Sequence, residues 1–372
     1  MQINSVQLVS IVNFFMNFAI QGSLIFIPLL GAQMGASDFQ VGLIGACYGG
    51  SYLLSSLYFG RQSDRSGRLG FVRIGLLLCA ITFAAQLLAN QIFTLALVRA
   101  GVGLALGVAT AALVAYAFES GANMGRYSSY GSLGWIAGAL LAAYLNNIAY
   151  LFAVSSLCCT AAFFISLRFP GETGGTATQA SAPKTQMPSF KNVFKRGWPI
   201  YLAVFLRHLG AAAVWIILPL YFISLGLDRF WVGILWGINF AVQFIVMRHL
   251  ERFNPNSIFA FGQVLSIGVF IAYTLVDQLW LLMIVQVMLG VTWSCLYVGA
   301  LLLVLKTGED KGTASGIFQA TLNLCNAVGP FLGGIIAHGW GYNGVMVFAA
   351  ALGAAGLITA IPRAQKQQPV HQ

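Results

Sequence analysis

The stretch Gly60-Arg61-Gln62-Ser63-Asp64-Arg65-Ser66-Gly67-Arg68 decides the fold of this chain, because it sets three arginines and an aspartate within nine residues between two long apolar runs. Hydrocarbon offers such charges no partner, so the stretch is expected as a tight turn outside the membrane that joins two membrane-spanning helices. Composition agrees. Of 372 residues, 59% are hydrophobic and 8% charged, and the mean hydropathy is +0.82. These values exclude a soluble domain of this length.

Working outward from that stretch, a span needs about 20 apolar residues. Twelve such runs are present, at 7–30, 40–59, 71–90, 92–117, 127–145, 149–168, 198–224, 230–248, 257–276, 278–305, 313–337 and 343–361. The chain therefore reads as an all-α integral membrane protein of twelve transmembrane helices. No basic region precedes the first run and no small-residue cleavage site follows it, so it is expected as a permanent span. An even count puts both ends on one side. The net charge of +10 could suggest nucleic acid, but sixteen of the nineteen lysines and arginines fall on the side of the ends. That asymmetry marks the cytoplasmic face of a cell membrane, so both termini are expected there and no nucleic-acid partner is expected. Arg229 lies in an opposite-side loop, and Arg99 and Arg207 fall inside spans.

Between the sixth and seventh runs, Pro170 to Arg196 is rich in Gly, Thr, Ser and Pro and reads as a flexible linker. It divides the chain into 1–169, the linker 170–196, and 197–372. The two halves resemble each other at an offset of 191 residues, where Pro28, Gly35, Phe39, Val41 and Gly42 match Pro219, Gly226, Phe230, Val232 and Gly233. This is the trace of a parallel repeat relating two pseudo-symmetric six-helix bundles. The six cysteines (Cys47, Cys79, Cys158, Cys159, Cys295, Cys325) all lie in apolar runs without metal-ligand spacing, and read as small core residues. Neither a metal nor a cofactor is expected.

The pattern G-x-x-x-D-R-x-G-R, carried by Gly60, Asp64, Arg65, Gly67 and Arg68, resembles the loop between helices 2 and 3 of the major facilitator superfamily of secondary transporters. Arg99-Ala100-Gly101-Val102-Gly103 in the fourth run is similar to that family's R-x-x-Q-G, with Val102 in place of the usual polar residue. In the fifth run, Gly134-Trp135-Ile136-Ala137-Gly138 stands where its drug antiporters usually carry G-P-x-x-G. The eleventh run has Gly329-Pro330-Phe331-Leu332-Gly333. The resemblance implies alternating access, a small-molecule substrate, proton coupling, and the drug and metabolite efflux branch. It also implies that Asp64 favours the outward-facing state by contacting the positive N-terminal end of the eleventh helix near Gly312 and Thr313. Topology places Glu119 on the same surface, where Arg65 could pair with it. Together, Gly60, Asp64, Arg65, Gly67 and Arg68 are the expected cytoplasmic gate, and the protein is expected as a monomer.

Arg207 is the most informative single residue. It lies about 14 Å along its helix from Trp198, close to the midplane, where an arginine costs about 2.5 to 3.5 kcal/mol or more. No Asp or Glu occupies the middle of any run. Its partner is therefore an anionic ligand or water in a central cavity, or backbone carbonyls in a structural role. His208 is adjacent and projects about 100° away. Arg99 has two readings, proton coupling or snorkelling to the near interface, about 10 Å from residue 92. His208, Arg99 and Glu119 are the candidate proton-linked groups.

Amides repeat at helical spacing. Asn13, Asn17 and Gln21 share one face, as do Asn239 and Gln243, and Gln319, Asn323 and Asn326; Tyr48 and Tyr52 share another. Such faces should look inward, either to bind substrate or to bond between helices. Trp215, Trp236, Trp293 and Tyr297 could add an apolar stacking surface. The expected substrate contacts are Arg207, His208, Asn13, Asn17, Gln21, Trp215, Asn239, Gln243, Gln319 and Asn323. With no G-x-x-x-x-G-K-[ST] loop, energy must come from an ion or solute gradient. The chief reading is proton-coupled efflux. The second is an organic-anion transporter with Arg207 as counter-charge. A sensor or an intramembrane enzyme finds no supporting domain or Ser/His/Asp constellation, so no enzymatic activity is expected.

Overall fold

The computed structural model describes residues 5–122, 124–145, 147–170, 190–306 and 311–364. All of its regular structure is helical. Span 1 is formed by α1 (Ser5–Leu24) and α2 (Ile27–Gln33), followed by α3 (Asp38–Ser66), α4 (Arg68–Ala85), α5 (Ile92–Glu119), α6 (Met124–Leu145) and α7 (Ile148–Ser166). The second half holds α8 (Phe190–Ser224), α9 (Arg229–Met247), α10 (Pro255–Leu275), α11 (Leu279–Leu305) and α12 (Lys311–Ala364). Nine of these are long and apolar enough to cross a membrane. The rest follow from two facts: α3 and α6 are diluted by Ser, Tyr and Gly but long enough to span, and α12 is two spans meeting at Gly341 (φ 70°, ψ 179°). That backbone conformation is essentially confined to glycine. Twelve crossings result.

Several boundaries depart from the sequence reading. The first span breaks at Phe26, just ahead of Pro28, which has no N–H to continue the ladder. Residues 190–196, at the end of the stretch expected as linker, form the first turns of α8. Residues 171–189 of that stretch lie outside the described residues. The charged stretch is also not a loop. Residues 61–66 stay helical to the end of α3, and the turn is made by Gly67 alone, at φ 90°. A single left-handed glycine reverses the chain in one step, so the charges can sit on helical turns projecting beyond the hydrocarbon.

The repeat seen in the sequence has a structural counterpart at each helix start on the face away from the chain ends. Gly35 and Gly226 both take positive φ, at 83° and 86°. Two residues later, Ser37 caps α3 by accepting from the Gln40 N–H, and its repeat mate Asp228 caps α9 by accepting from Trp231 N–H.

Helices α1, α3, α4, α5, α6 and α7 pack among themselves, chiefly α1 on α6 and α7, α3 on α5, and α4 on α5 and α7. In the second bundle α8 lies on α12, α10 on α11 and α12, and α9 on α11. Two pairs chiefly join the bundles, α3 with α12 and α6 with α9, with smaller contacts of α2 and α3 on α8. The first brings main chain against main chain at two of its glycines. A Cβ at Gly42 would stand 2.4 Å from the Pro330 carbonyl oxygen, and one at Gly49 only 2.3 Å from that of Asn326. At the repeat-related position on α9, a Cβ at Gly233 would sit 2.6 Å from Ala143 of α6. Small residues permit this close approach where lipid gives helices no hydrophobic reason to associate. On the face away from the chain ends, Tyr342 donates to Asp38 at 3.3 Å, Phe39 meets Phe331 at 5.9 Å, and the Arg229 guanidinium lies 6.0 Å over the Phe26 ring. The bundles thus meet from mid-depth to the face opposite the ends.

Candidate functional site

Arg207 sits on α8 at mid-depth and is 1% exposed. Its Nε donates to Ser266 Oγ of α10 at 2.8 Å. The guanidinium carbon lies 5.5 Å over the Phe270 ring and 5.7 Å over the Trp293 ring, at distances where a cation is held by the ring faces. Its two terminal nitrogens are buried without a partner. Arg207 thus faces α10 and α11 inside its own bundle. His208 is also buried, stacking on Trp293 at 4.9 Å and meeting Trp215 edge-on at 5.0 Å. Neither of its ring nitrogens makes a hydrogen bond of good geometry, although the Asn326 side chain lies at the ring's edge. Despite their different directions along α8, Arg207 and His208 border the same small void, about 10 Å³, with Trp293, Tyr297 and Phe318.

Arg99 on α5 corrects the snorkelling reading: it is 2% exposed and turned into its bundle. Its Nη1 donates to Gln86 Oε1 at 3.2 Å and its guanidinium rests 4.3 Å over the Tyr48 ring. Tyr48 stacks on Tyr52, whose hydroxyl is 3.1 Å from Thr110 Oγ1. An interior amide and an aromatic face serve this arginine better than the interface does.

The amide stripes divide into two kinds. Asn13 donates to the Tyr127 carbonyl of α6 at 2.8 Å, and Asn17 donates to Asn13 Oδ1 at 2.8 Å. Gln21 is buried over Gly138 of the same helix. On α9, Gln243 donates to Asn239 Oδ1 at 2.6 Å and Asn239 to the Gln286 carbonyl of α11 at 3.2 Å. These two stripes bond between helices. The third is open: Gln319, bonded to the Tyr297 hydroxyl at 3.0 Å, and Asn326 are exposed, and Asn323 is half-buried.

On the terminal face, Glu119 at the end of α5 pairs with Arg68 Nε at 2.8 Å; the Arg65 side chain, expected as its partner, lies outside the described residues. Arg68 opens α4 immediately after the Gly67 turn and thereby reaches the end of α5. Gly60 lies on α3 facing Ala111 of α5. The side chains of Asp64, Arg65 and Thr313, and any contact of Gly312, lie outside the described residues. Among the described residues, no three His, Cys, Asp or Glu side chains gather as a metal site.

Sequence reasoning missed two features. Ser266 and Phe270 lie in an apolar run with no polar periodicity to single them out. Trp135 was read only as a departure from a motif. Its ring meets Phe240 of α9 across the bundle junction at 5.5 Å, and Phe240 stacks on Trp236 at 5.5 Å. The indole N–H groups of Trp135 and Trp236 are buried without acceptors.

The sequence profile of the Major Facilitator Superfamily matches residues 9–261 and 240–371, nearly the whole chain. The protein belongs to the Major Facilitator Superfamily. It is a multi-pass membrane transporter, not an enzyme. A curated relative, the multidrug resistance protein MdtG of Proteus mirabilis (strain HI4320), is 24% identical, covering 88% of this chain and 87% of that protein. Among solved structures, the nucleoside transporter NupG superimposes with a TM-score of 0.79 at 13% identity, covering 99% of this chain and 100% of that one. A bacterial homologue of the human lysosomal transporter Spinster, in an inward-facing and occupied conformation, superimposes with a TM-score of 0.73 at 13% identity, covering 97% and 96%. At such identities these two structures establish the fold. In this Major Facilitator Superfamily member, glycines mark two close crossings: Gly134 and Gly138 of α6 abut the α1 backbone, and Gly329 and Gly333 of α12 abut α8.

Proposed function

We propose that this transporter exports small, largely apolar organic solutes, drugs or metabolites, in exchange for protons. The observation that carries the reading is the aromatic junction at mid-depth. Trp135, Phe240 and Trp236 bridge the bundles where their contact ends, and Trp215, Trp293 and Tyr297 lie within the second bundle. Planar, polarisable rings with few charges suit many lipophilic solutes and demand little of any one. The similarity to a protein named for multidrug resistance supports the same direction.

With both ends cytoplasmic, as the sixteen basic residues on that side favour, the bundle contacts lie in the outer half of the membrane. Bundles 1–169 and 197–372, connected through 170–196, then part towards the cytoplasm and rock about the midplane site. Asn17, Asn323 and Gln319 are the amides positioned to meet a solute, while Asn13, Gln21, Asn239 and Gln243 hold helices together. Asp64 with Arg68 and Glu119 forms the cytoplasmic gate. His208 and Glu119 are the proton-linked candidates that fit best, one against the aromatic cluster and one at the gate. The organic-anion alternative is weakened by the burial of Arg207, which is 1% exposed and turned towards Ser266 of its own bundle.

Proteoliposomes loaded with a lipophilic fluorescent dye test the reading. An imposed proton gradient should drive dye movement against its own gradient, a protonophore should abolish it, and Glu119→Gln or His208→Gln should uncouple it. Movement that ignores the proton gradient would overturn proton exchange; gradient-driven movement of nucleosides or organic anions, with none of the dye, would overturn the substrate class.

A further inference from the structure

The two bundles close the same corner differently. In the first, the turn between α3 and α4 is tied to the end of α5 by Arg68 and Glu119 at 2.8 Å. The repeat makes α9, α10 and α11 the mates of α3, α4 and α5, and there a base stands where the acid was. Helix α11 ends at Leu305 with Lys306 as its cap, and the short helical turn ahead of α10, Leu250–Arg252, ends in a second cation. No salt bridge closes this corner among the described residues. It stays open as a cavity of about 470 Å³, bordered by Arg252, Phe253, Asn254, Asn256, Leu303 and Lys306. Arg252 and Lys306 are both exposed, and among the described residues neither side chain has an ion-pair partner. The Glu251 side chain and residues 307–310 lie outside the described residues. Asn254 spends its Oδ1 on the Asn256 N–H and keeps its amide donors.

Two features fix the ligand class. Two cations and a free amide around one open cavity suit an anion, and a basic pocket between helices at the membrane surface suits a phosphate group. The cavity also sits at the end of a lipid-facing helix. Beyond it α10 exposes Phe261, Val264, Ile271 and Leu275 along one stripe, and Phe253 stands exposed at the cavity itself. A phosphate held here can therefore carry acyl chains that lie on that stripe. We propose that the corner between the α9–α10 turn and the end of α11 binds the headgroup of an anionic phospholipid, its phosphate between Arg252 and Lys306, in the leaflet on the side of the chain ends. The space exceeds what a bare phosphate fills and accommodates a glycerophosphate headgroup. Its lining includes none of the residues proposed to meet the solute, so the inference stands whether or not the efflux reading holds.

The test titrates the full-length, detergent-purified protein with phosphatidylglycerol and counts bound lipid by native mass spectrometry. Phosphatidylglycerol should bind saturably, whereas phosphatidylcholine with the same acyl chains should bind far more weakly. Arg252→Gln and Lys306→Gln should each weaken the tightest lipid by about fivefold, the share of one basic residue at an anionic surface. Arg168→Gln removes an exposed cation of the first bundle on the same face and should leave that affinity unchanged. Both site residues are exposed, so the variants should keep the wild-type thermal midpoint in lipid-free detergent, which separates lost binding from lost folding. Inorganic phosphate distinguishes the source of the group: it should neither displace the lipid nor raise the thermal midpoint, and if it does both, the site serves a free anion and the lipid assignment falls. Equal phosphatidylglycerol affinity in wild type and both site variants would overturn the proposal. So would an equal loss in Arg168→Gln, which would reduce the effect to the charge of the whole face.

Discussion

Trp135 shows how one side chain joins two levels of the structure. It replaces a helix-bending proline with a ring that reaches across the bundle junction to Phe240. An aromatic pair contributes about 0.5 to 1.5 kcal/mol beyond its buried area. Removing it by Trp135→Ala should shift the balance between states by roughly two- to tenfold, away from the state in which the junction is closed. Spin labels at Gln33 and His338, exposed positions on opposite bundles, should then show a larger long-distance population. An unchanged distance distribution would remove the ring from the conformational balance. The pair Arg68–Glu119 is the contrasting case. Glu119 is 52% exposed, so either Arg68→Gln or Glu119→Gln should change stability by less than about 1 kcal/mol, read as a small shift in thermal midpoint. An effect on transport without one on stability would mark a gate. At this scale the sequence was legible where chemistry is rare: an intramembrane arginine stands out in any apolar run. Its partners did not, because Ser266 and Phe270 are ordinary in such a run and only three-dimensional packing brings α10 against α8. Likewise, spacing revealed the amide faces of α1 and α9 but could not decide between substrate and neighbouring helix, since both satisfy the same unpaired groups.

Among elements, glycine placement governs how closely helices cross. A Cβ at Gly103 of α5 would stand 2.2 Å from the Tyr48 carbonyl oxygen of α3, whereas at Gly101, two residues earlier, its nearest neighbour is Thr82 Cγ2 at 3.6 Å. Gly103→Ala should therefore force the two helices apart and cost on the order of 1 to 3 kcal/mol or more. Gly101→Ala should be tolerated, and by helix propensity slightly favoured. Thermal midpoints of the two variants, measured side by side, check this; equal behaviour would show that the α3–α5 crossing is not limited by backbone contact. The twelve apolar runs were legible because lipid permits few alternatives to a helix. Their ends were not, because a single glycine decides them. Gly67 shortens an expected polar loop to one residue, and Gly341 joins two spans almost without a linker.

In the molecule as a whole, the two bundles touch chiefly along α3–α12 and α6–α9. Replacing Phe39 and Phe331, whose rings meet across that junction, with cysteines in a background lacking the six native thiols allows a short bifunctional reagent to tie the bundles together. Transport should stop when the link is made and return when a cleavable link is reduced. Continued transport through the tied protein would contradict rocking about this seam. Equivalence of the halves was legible in five matched residues, and the paired caps at Ser37 and Asp228 are its physical content. The seam itself has a mechanical consequence. Gly42 and Gly49 abut main chain, with Gly45 between them against Pro330 and Ile216, so few side chains must unmesh if the contact parts. Glycine has no rotamers to freeze or release, and so this junction acts as a low-friction bearing, whose resistance to turning is set by the few aromatic and polar contacts at its margins.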